Sequence, residues 1–115
     1  MQRFTYLRSS ALACALTAVA MVMAGAAKAE DSAGSIAIKN YAFVPATKTV
    51  SPGATVTWVN EDDDPHTVTG DAAVAALNSP ALDTHDKYAF TFAKPGVYKY
   101  FCKLHPHMQG EIIVQ

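Results

Sequence analysis

The chain has 115 residues, half of them hydrophobic at 50%, with nine Lys and Arg against ten Asp and Glu. Less the 29-residue leader expected over residues 1–29, the remaining 86 residues are enough for one small domain with a single core and too few for two. A formal net charge of −1, with no basic run along the chain, argues against a phosphate-binding surface for nucleic acid or for an anionic membrane.

Arg3 and Arg8 precede an apolar run from Ala11 to about Ala24, and Ala27-Lys28-Ala29 follows as a small-x-small cleavage signal. This is the layout of a secretory signal peptide over residues 1–29, with export to the periplasm as its consequence. The apolar run is shorter than the roughly 20 residues a bilayer-spanning helix needs, so no membrane insertion is expected after cleavage. Removal of Arg3, Arg8 and Lys28 would leave six positive charges against ten negative, a net charge of −4. It would also remove Cys14 and leave Cys102 alone in an oxidising compartment, where a free thiol is exposed to oxidation unless a metal occupies it.

Residues 30–34 read as a loose polar tail, and a domain is expected over residues 35–115. Strand-like runs rich in β-branched and aromatic residues follow at Ser35–Lys39, Thr47–Ser51, Thr55–Val59, Thr67–Thr69, Tyr88–Phe92, Gly96–Cys102 and Gly110–Val114. Ser51-Pro52-Gly53 and Lys94-Pro95-Gly96 are turns, because proline presets one central dihedral and glycine accepts a positive one at the next. Only Asp71–Leu77 resembles a helix, and it could equally be an apolar loop. The pattern predicts an all-β sandwich or barrel. Period two places Val56 and Trp58, Tyr88, Phe90 and Phe92, and Tyr98, Tyr100 and Cys102 on inward faces.

Chemistry concentrates in Cys102-Lys103-Leu104-His105-Pro106-His107-Met108, which sets a thiolate, an imidazole and a thioether three residues apart between two strands. Two imidazoles and a thiolate with a weak thioether form the type 1 copper arrangement used for electron transfer. His66, in Asp64-Pro65-His66-Thr67-Val68, is the better source of the second imidazole; His85, in the polar turn Asp83–Lys87, is the weaker one. Zinc competes for one thiolate and two imidazoles, but structural zinc sites use more cysteines and gain little from a thioether. A copper storage or delivery protein and a thiol enzyme using Cys102 with a histidine base are the competing functions. The fixed four-donor set, His66, Cys102, His105 and Met108, favours an electron carrier over both.

Through Ile38–Phe43, Val56–Asn60, Pro65-His66, Gly96–Cys102 and the C-x2-H-x2-M loop, the chain resembles the small cupredoxins, and the short loop resembles the amicyanin type. The resemblance implies a Greek-key β-sandwich of about seven to eight strands and one copper ion held by His66, Cys102, His105 and Met108. It further implies a monomeric carrier, not an enzyme, that shuttles electrons between redox proteins, from a dehydrogenase donor to a cytochrome c-type or oxidase acceptor. His105 would be the electron's exit, within an apolar collar of Leu104, Pro106 and Met108. Thr67 stands where the family commonly has an asparagine that ties the two ligand loops together, and His107 stands where it usually has an apolar residue. Glu61-Asp62-Asp63-Asp64 reads first as a solvated loop and second as a steering surface for a basic partner.

Overall fold

The computed structural model describes residues 32–115; the expected signal peptide and residues 30 and 31 of the expected tail lie outside them. Eight strands run through the described residues: β1 (Ser32–Lys39), β2 (Ala42–Val44), β3 (Thr47–Val50), β4 (Ala54–Asn60), β5 (Thr69–Gly70), β6 (Lys87–Phe92), β7 (Gly96–Phe101) and β8 (Gln109–Val114). They form two four-stranded sheets, ordered β2-β1-β4-β6 and β3-β8-β7-β5. The expected sandwich is therefore what the chain builds. Both sheets are mixed, because β1 runs parallel to β4 and β3 runs parallel to β8.

Alternation sets the core. Along β4, Ala54, Val56, Trp58 and Asn60 are buried and the residues between them are only half-buried. Phe92 and Tyr100 are buried on their own strands and Cys102 just past the end of β7, with Tyr88, Phe90 and Tyr98 packed against the same core. The two sheets meet where Trp58 and Tyr100 pack edge to face, ring centroids 5.4 Å apart, with Phe43 against Tyr100 at 4.7 Å. Trp58 Nε1 and Tyr100 Oη are buried without a partner in hydrogen-bonding geometry. Burial pushes the Tyr100 phenol up to about 12, offset slightly by the indole N–H beside it.

Four local details differ from the sequence pattern. Strand β1 begins at Ser32, inside the expected tail, and changes register between Ser32 and Ser35, where Gly34 takes a φ of 85°. Strand β2, three residues between a turn and Pro45, was too short to show as a run, yet it contributes Phe43 to the core. Thr67 and Val68 are not in a strand, and the expected strand there is displaced to Thr69–Gly70. The ambiguous 71–77 segment makes a single 3-10 turn, Ala72–Val74, whose Ala73 N–H is capped by the Asp71 side chain at 2.9 Å.

Candidate metal centre

The parallel pairing of β1 with β4 sets Ile38 opposite Asn60, so both strands end at the same edge of the sandwich. The turn after β1 (Asn40-Tyr41) and the loop after β4 (61–66) therefore emerge side by side. Asn60 organises that loop. Fully buried, its amide donates to the carbonyls of Asp64 (2.9 Å) and Leu82 (2.8 Å), and its side-chain oxygen accepts from the Asp62 N–H at 2.9 Å. His66 comes next, fixed by paired backbone hydrogen bonds with Leu82 at 3.1 and 2.7 Å.

Cys102 follows β7 and Met108 precedes β8, so the intervening loop is pinned at both ends. It also closes on itself: His105 N–H donates to Cys102 O (3.3 Å), Met108 N–H to His105 O (2.9 Å) and Cys102 N–H to Met108 O (3.1 Å). The spacing of three is thus two successive tight turns.

These elements bring His66, Cys102 and His105 together. Cys102 Sγ lies 3.8 Å from His66 Nδ1 and 3.8 Å from His105 Nδ1, and the two nitrogens are 3.2 Å apart. A point equidistant from the three atoms lies roughly 2 Å from each, which is the length of a metal–imidazole bond. Met108 is buried beside them, at 2% exposure, and so cannot form part of the surface collar expected of it. His85 is exposed in the turn preceding β6, with a φ of 70°, and does not join the cluster. His107 is exposed.

Neighbouring groups orient the donors. His66 Nε2 lies 2.9 Å from Asp62 Oδ2; a carboxylate only accepts, so Nε2–H donates to it and fixes the ring with Nδ1 facing Cys102. Burial alone would raise the Asp62 carboxyl, but the N–H groups of Tyr41 and Asn40 and the imidazole of His66 outweigh it and hold the carboxyl below its usual range. A depressed carboxyl contributes stability above its unfolded pKa, and that contribution is lost as pH falls through the folded value. Cys102 Sγ accepts from the Thr67 N–H at 3.3 Å. The Thr67 hydroxyl accepts from Lys103 N–H at 2.8 Å and pairs with the Thr69 hydroxyl at 3.0 Å. Threonine thus ties the two ligand loops together. Thr67→Val is expected to cost about 1–2 kcal/mol in denaturant unfolding, because the Lys103 N–H loses its acceptor while the side-chain shape is kept; an unchanged midpoint would show that the tie contributes nothing.

Residues 12–114 match the cupredoxin-like domain family. The chain belongs to the cupredoxin family. The cupredoxin is 36% identical over 93 residues to amicyanin from Paracoccus denitrificans, an alignment covering 78% of this chain and 71% of that one. It is 34% identical over 119 residues to amicyanin-alpha from Methylorubrum extorquens, covering 95% of this chain and all of the other. Among solved structures, the Cu(I) form of an amicyanin variant superposes with a TM-score of 0.69 at 32% identity, covering 74% of this chain and 84% of that one. It is thus a small blue-copper cupredoxin of the amicyanin-like kind, an electron carrier and not an enzyme. The donor chemistry fits: one buried cysteine sulfur and two imidazole nitrogens, already gathered within metal-bonding reach, suit copper.

Tyr41, Asn60 and the structural role of Asp62 were not found from the sequence as parts of the site. The contacts of Tyr41 and Asp62 across the turn after β1 depend on the side-by-side ends of β1 and β4, and the bond from Asn60 to Leu82 spans 22 residues, which no local spacing reveals.

Proposed function

We propose that this cupredoxin is a periplasmic one-electron shuttle in which His66, Cys102, His105 and Met108 hold a single type 1 copper ion, Met108 as the weaker fourth donor. The observation that carries the reading is the triangle of Sγ and two Nδ1 atoms, 3.2 to 3.8 Å on its sides. Copper bound there would supply reversible one-electron exchange between Cu(I) and Cu(II). The protein's part is to hold the donors still: His66 and Cys102 are fully buried and hydrogen-bonded, and the loop is closed by its own backbone. Buried donors favour a carrier over a copper store or delivery protein, which needs exchangeable ligands.

His105 is the half-buried donor and the proposed port for the electron. Exposed Leu104 (51%) and Pro106 adjoin it in the loop, and exposed Tyr41 packs on its ring. Such a surface suits brief encounters with redox proteins, a dehydrogenase as donor and a cytochrome c-type protein or oxidase as acceptor, met by a monomer. Residues 1–29 are proposed to be removed on export as a signal peptide; the tail expected over 30–34 is shorter than that, because β1 already pairs with β4 from Ser32 onward.

The acidic run divides in two. Asp62 and Asp64 are engaged in hydrogen bonds, whereas Glu61 and Asp63 are exposed and free to steer a basic partner. The double change Glu61→Gln and Asp63→Asn is expected to flatten the ionic-strength dependence of the electron-transfer rate with a native partner, while an unchanged slope would reject steering. Voltammetry tests the carrier reading: a reversible one-electron wave that keeps its amplitude over repeated cycles is expected, whereas copper released on reduction would favour a store.

A further inference from the structure

The two imidazoles are held in different ways. His66 has Asp62 on its outer nitrogen, but among the described residues the ring nitrogens of His105 meet only His66 Nδ1 and Cys102 Sγ. Among the described residues no hydrogen-bonding group orients the His105 ring from outside. What lies against it is Tyr41, whose ring meets His105 edge-on at 5.1 Å and 85°, and His66 edge-on at 5.3 Å and 89°.

Tyr41 is brought there at a conformational cost. Asn40 and Tyr41 both adopt left-handed backbone, φ 53° and 56°, a region that a bulky residue rarely visits. The Asp62 carboxylate holds this turn by accepting from Asn40 N–H at 2.7 Å and Tyr41 N–H at 3.0 Å, the same group that orients His66. The Tyr41 hydroxyl donates to Asp64 and anchors the far end of the ring. A strained turn clamped at both ends by carboxylates, with its ring laid across two imidazoles, is more than an exposed aromatic on a loop needs.

We propose that Tyr41 is a positioning residue of the metal centre: its clamped ring fixes the orientation of His105 and covers the imidazole edges, as Asp62 does for His66 through a hydrogen bond. This rests on the proposed ligand role of His105, but the packing is a property of the protein alone. It also gives Asp62 and Asp64 a shared purpose, holding the aromatic cover in place.

Two variants separate positioning from simple stability. Tyr41→Asn removes the ring while suiting left-handed backbone, so thermal stability of the metal-free protein is expected to hold or rise. Tyr41→Phe keeps the ring and loses only the Asp64 anchor. In the metal-free protein, side-chain couplings of His105 measured by NMR are expected to report one rotamer in the native chain and in Tyr41→Phe, and averaging in Tyr41→Asn. In the copper-loaded protein, loss of copper to a chelator is expected to be about tenfold faster in Tyr41→Asn, and within about twofold of native in Tyr41→Phe. A single His105 rotamer in Tyr41→Asn, or Tyr41→Phe behaving as Tyr41→Asn does, would overturn the proposal. A native chain that takes up no copper would refute the copper reading instead, and the rotamer measurement would then decide the role of Tyr41 by itself.

Discussion

Replacing Asn60 with alanine is expected to lower stability by about 2–4 kcal/mol and to loosen the loop that carries His66. Asn60 is fully buried at the end of β4 and makes three side-chain hydrogen bonds, to Asp62 N–H and to the carbonyls of Asp64 and Leu82. Alanine would leave these backbone groups to find water in a place with little room for it, and each orphaned group costs roughly 1–3 kcal/mol. The Leu82 carbonyl keeps its bond from His66 N–H, which is why the expected total falls short of three full penalties. Asp62 depends on Asn60 for its backbone position, so the His66 imidazole should lose its orientation too. Denaturant unfolding of the metal-free protein would check the first effect and weakened copper affinity the second. A loss below about 0.5 kcal/mol, the range of an ordinary surface change, would contradict this account of the loop.

Gly70→Ala carries the second large effect. A Cβ at Gly70 would lie 2.2 Å from the Val74 carbonyl oxygen, 2.6 Å from Val74 Cγ1 and 3.1 Å from Leu77 Cβ. The nearest atom is backbone, so relief requires moving the 3-10 turn and not merely rotating a side chain. Gly70 N–H also donates to Leu77 O at 2.6 Å, which holds the two segments at this close approach. Overpacking of this kind is expected to cost about 3 kcal/mol. Thermal or denaturant unfolding would check it, and a near-neutral Gly70→Ala would show that the turn yields freely. Gly53 provides the contrast, since a Cβ there meets nothing within 4 Å and only its φ of 87° demands glycine.

The parts of the protein that depend on short spacings were legible in the sequence. The strand alternation gave Val56, Trp58, Phe92 and Tyr100 their buried faces, because a pleated strand turns every second side chain the same way. The seven-residue loop was legible for a similar reason: three residues make one tight turn, so Cys102, His105 and Met108 could be grouped without knowing the fold. Thr67 stands out in the sequence as a departure from the family's tying asparagine, and its hydroxyl accepts from Lys103 N–H across the two loops.

What escaped the sequence depends on contacts between distant segments. Tyr41 and Asp64 are 23 residues apart and meet only because β1 and β4 are parallel neighbours, an arrangement that a run of β-branched residues does not encode. The acidic run looked uniform as text, yet its members have different partners: Asp62 and Asp64 face the turn after β1, while Glu61 and Asp63 are exposed. Met108 was placed in the surface collar as well as in the ligand set, and the structure buries it. The β2 strand escaped because three residues are too few to show a period.

Cys102 is proposed to give copper its thiolate within a set completed by His66, His105 and Met108. The most direct measurement is a titration of the metal-free protein with Cu(II), followed by visible absorption, in the native chain and in Cys102→Ser. The native protein is expected to develop an intense blue band that saturates at one equivalent and bleaches on reduction, and Cys102→Ser is expected to show none of it while keeping its fold. A native protein that stays colourless, or a blue band that survives in Cys102→Ser, would contradict the account.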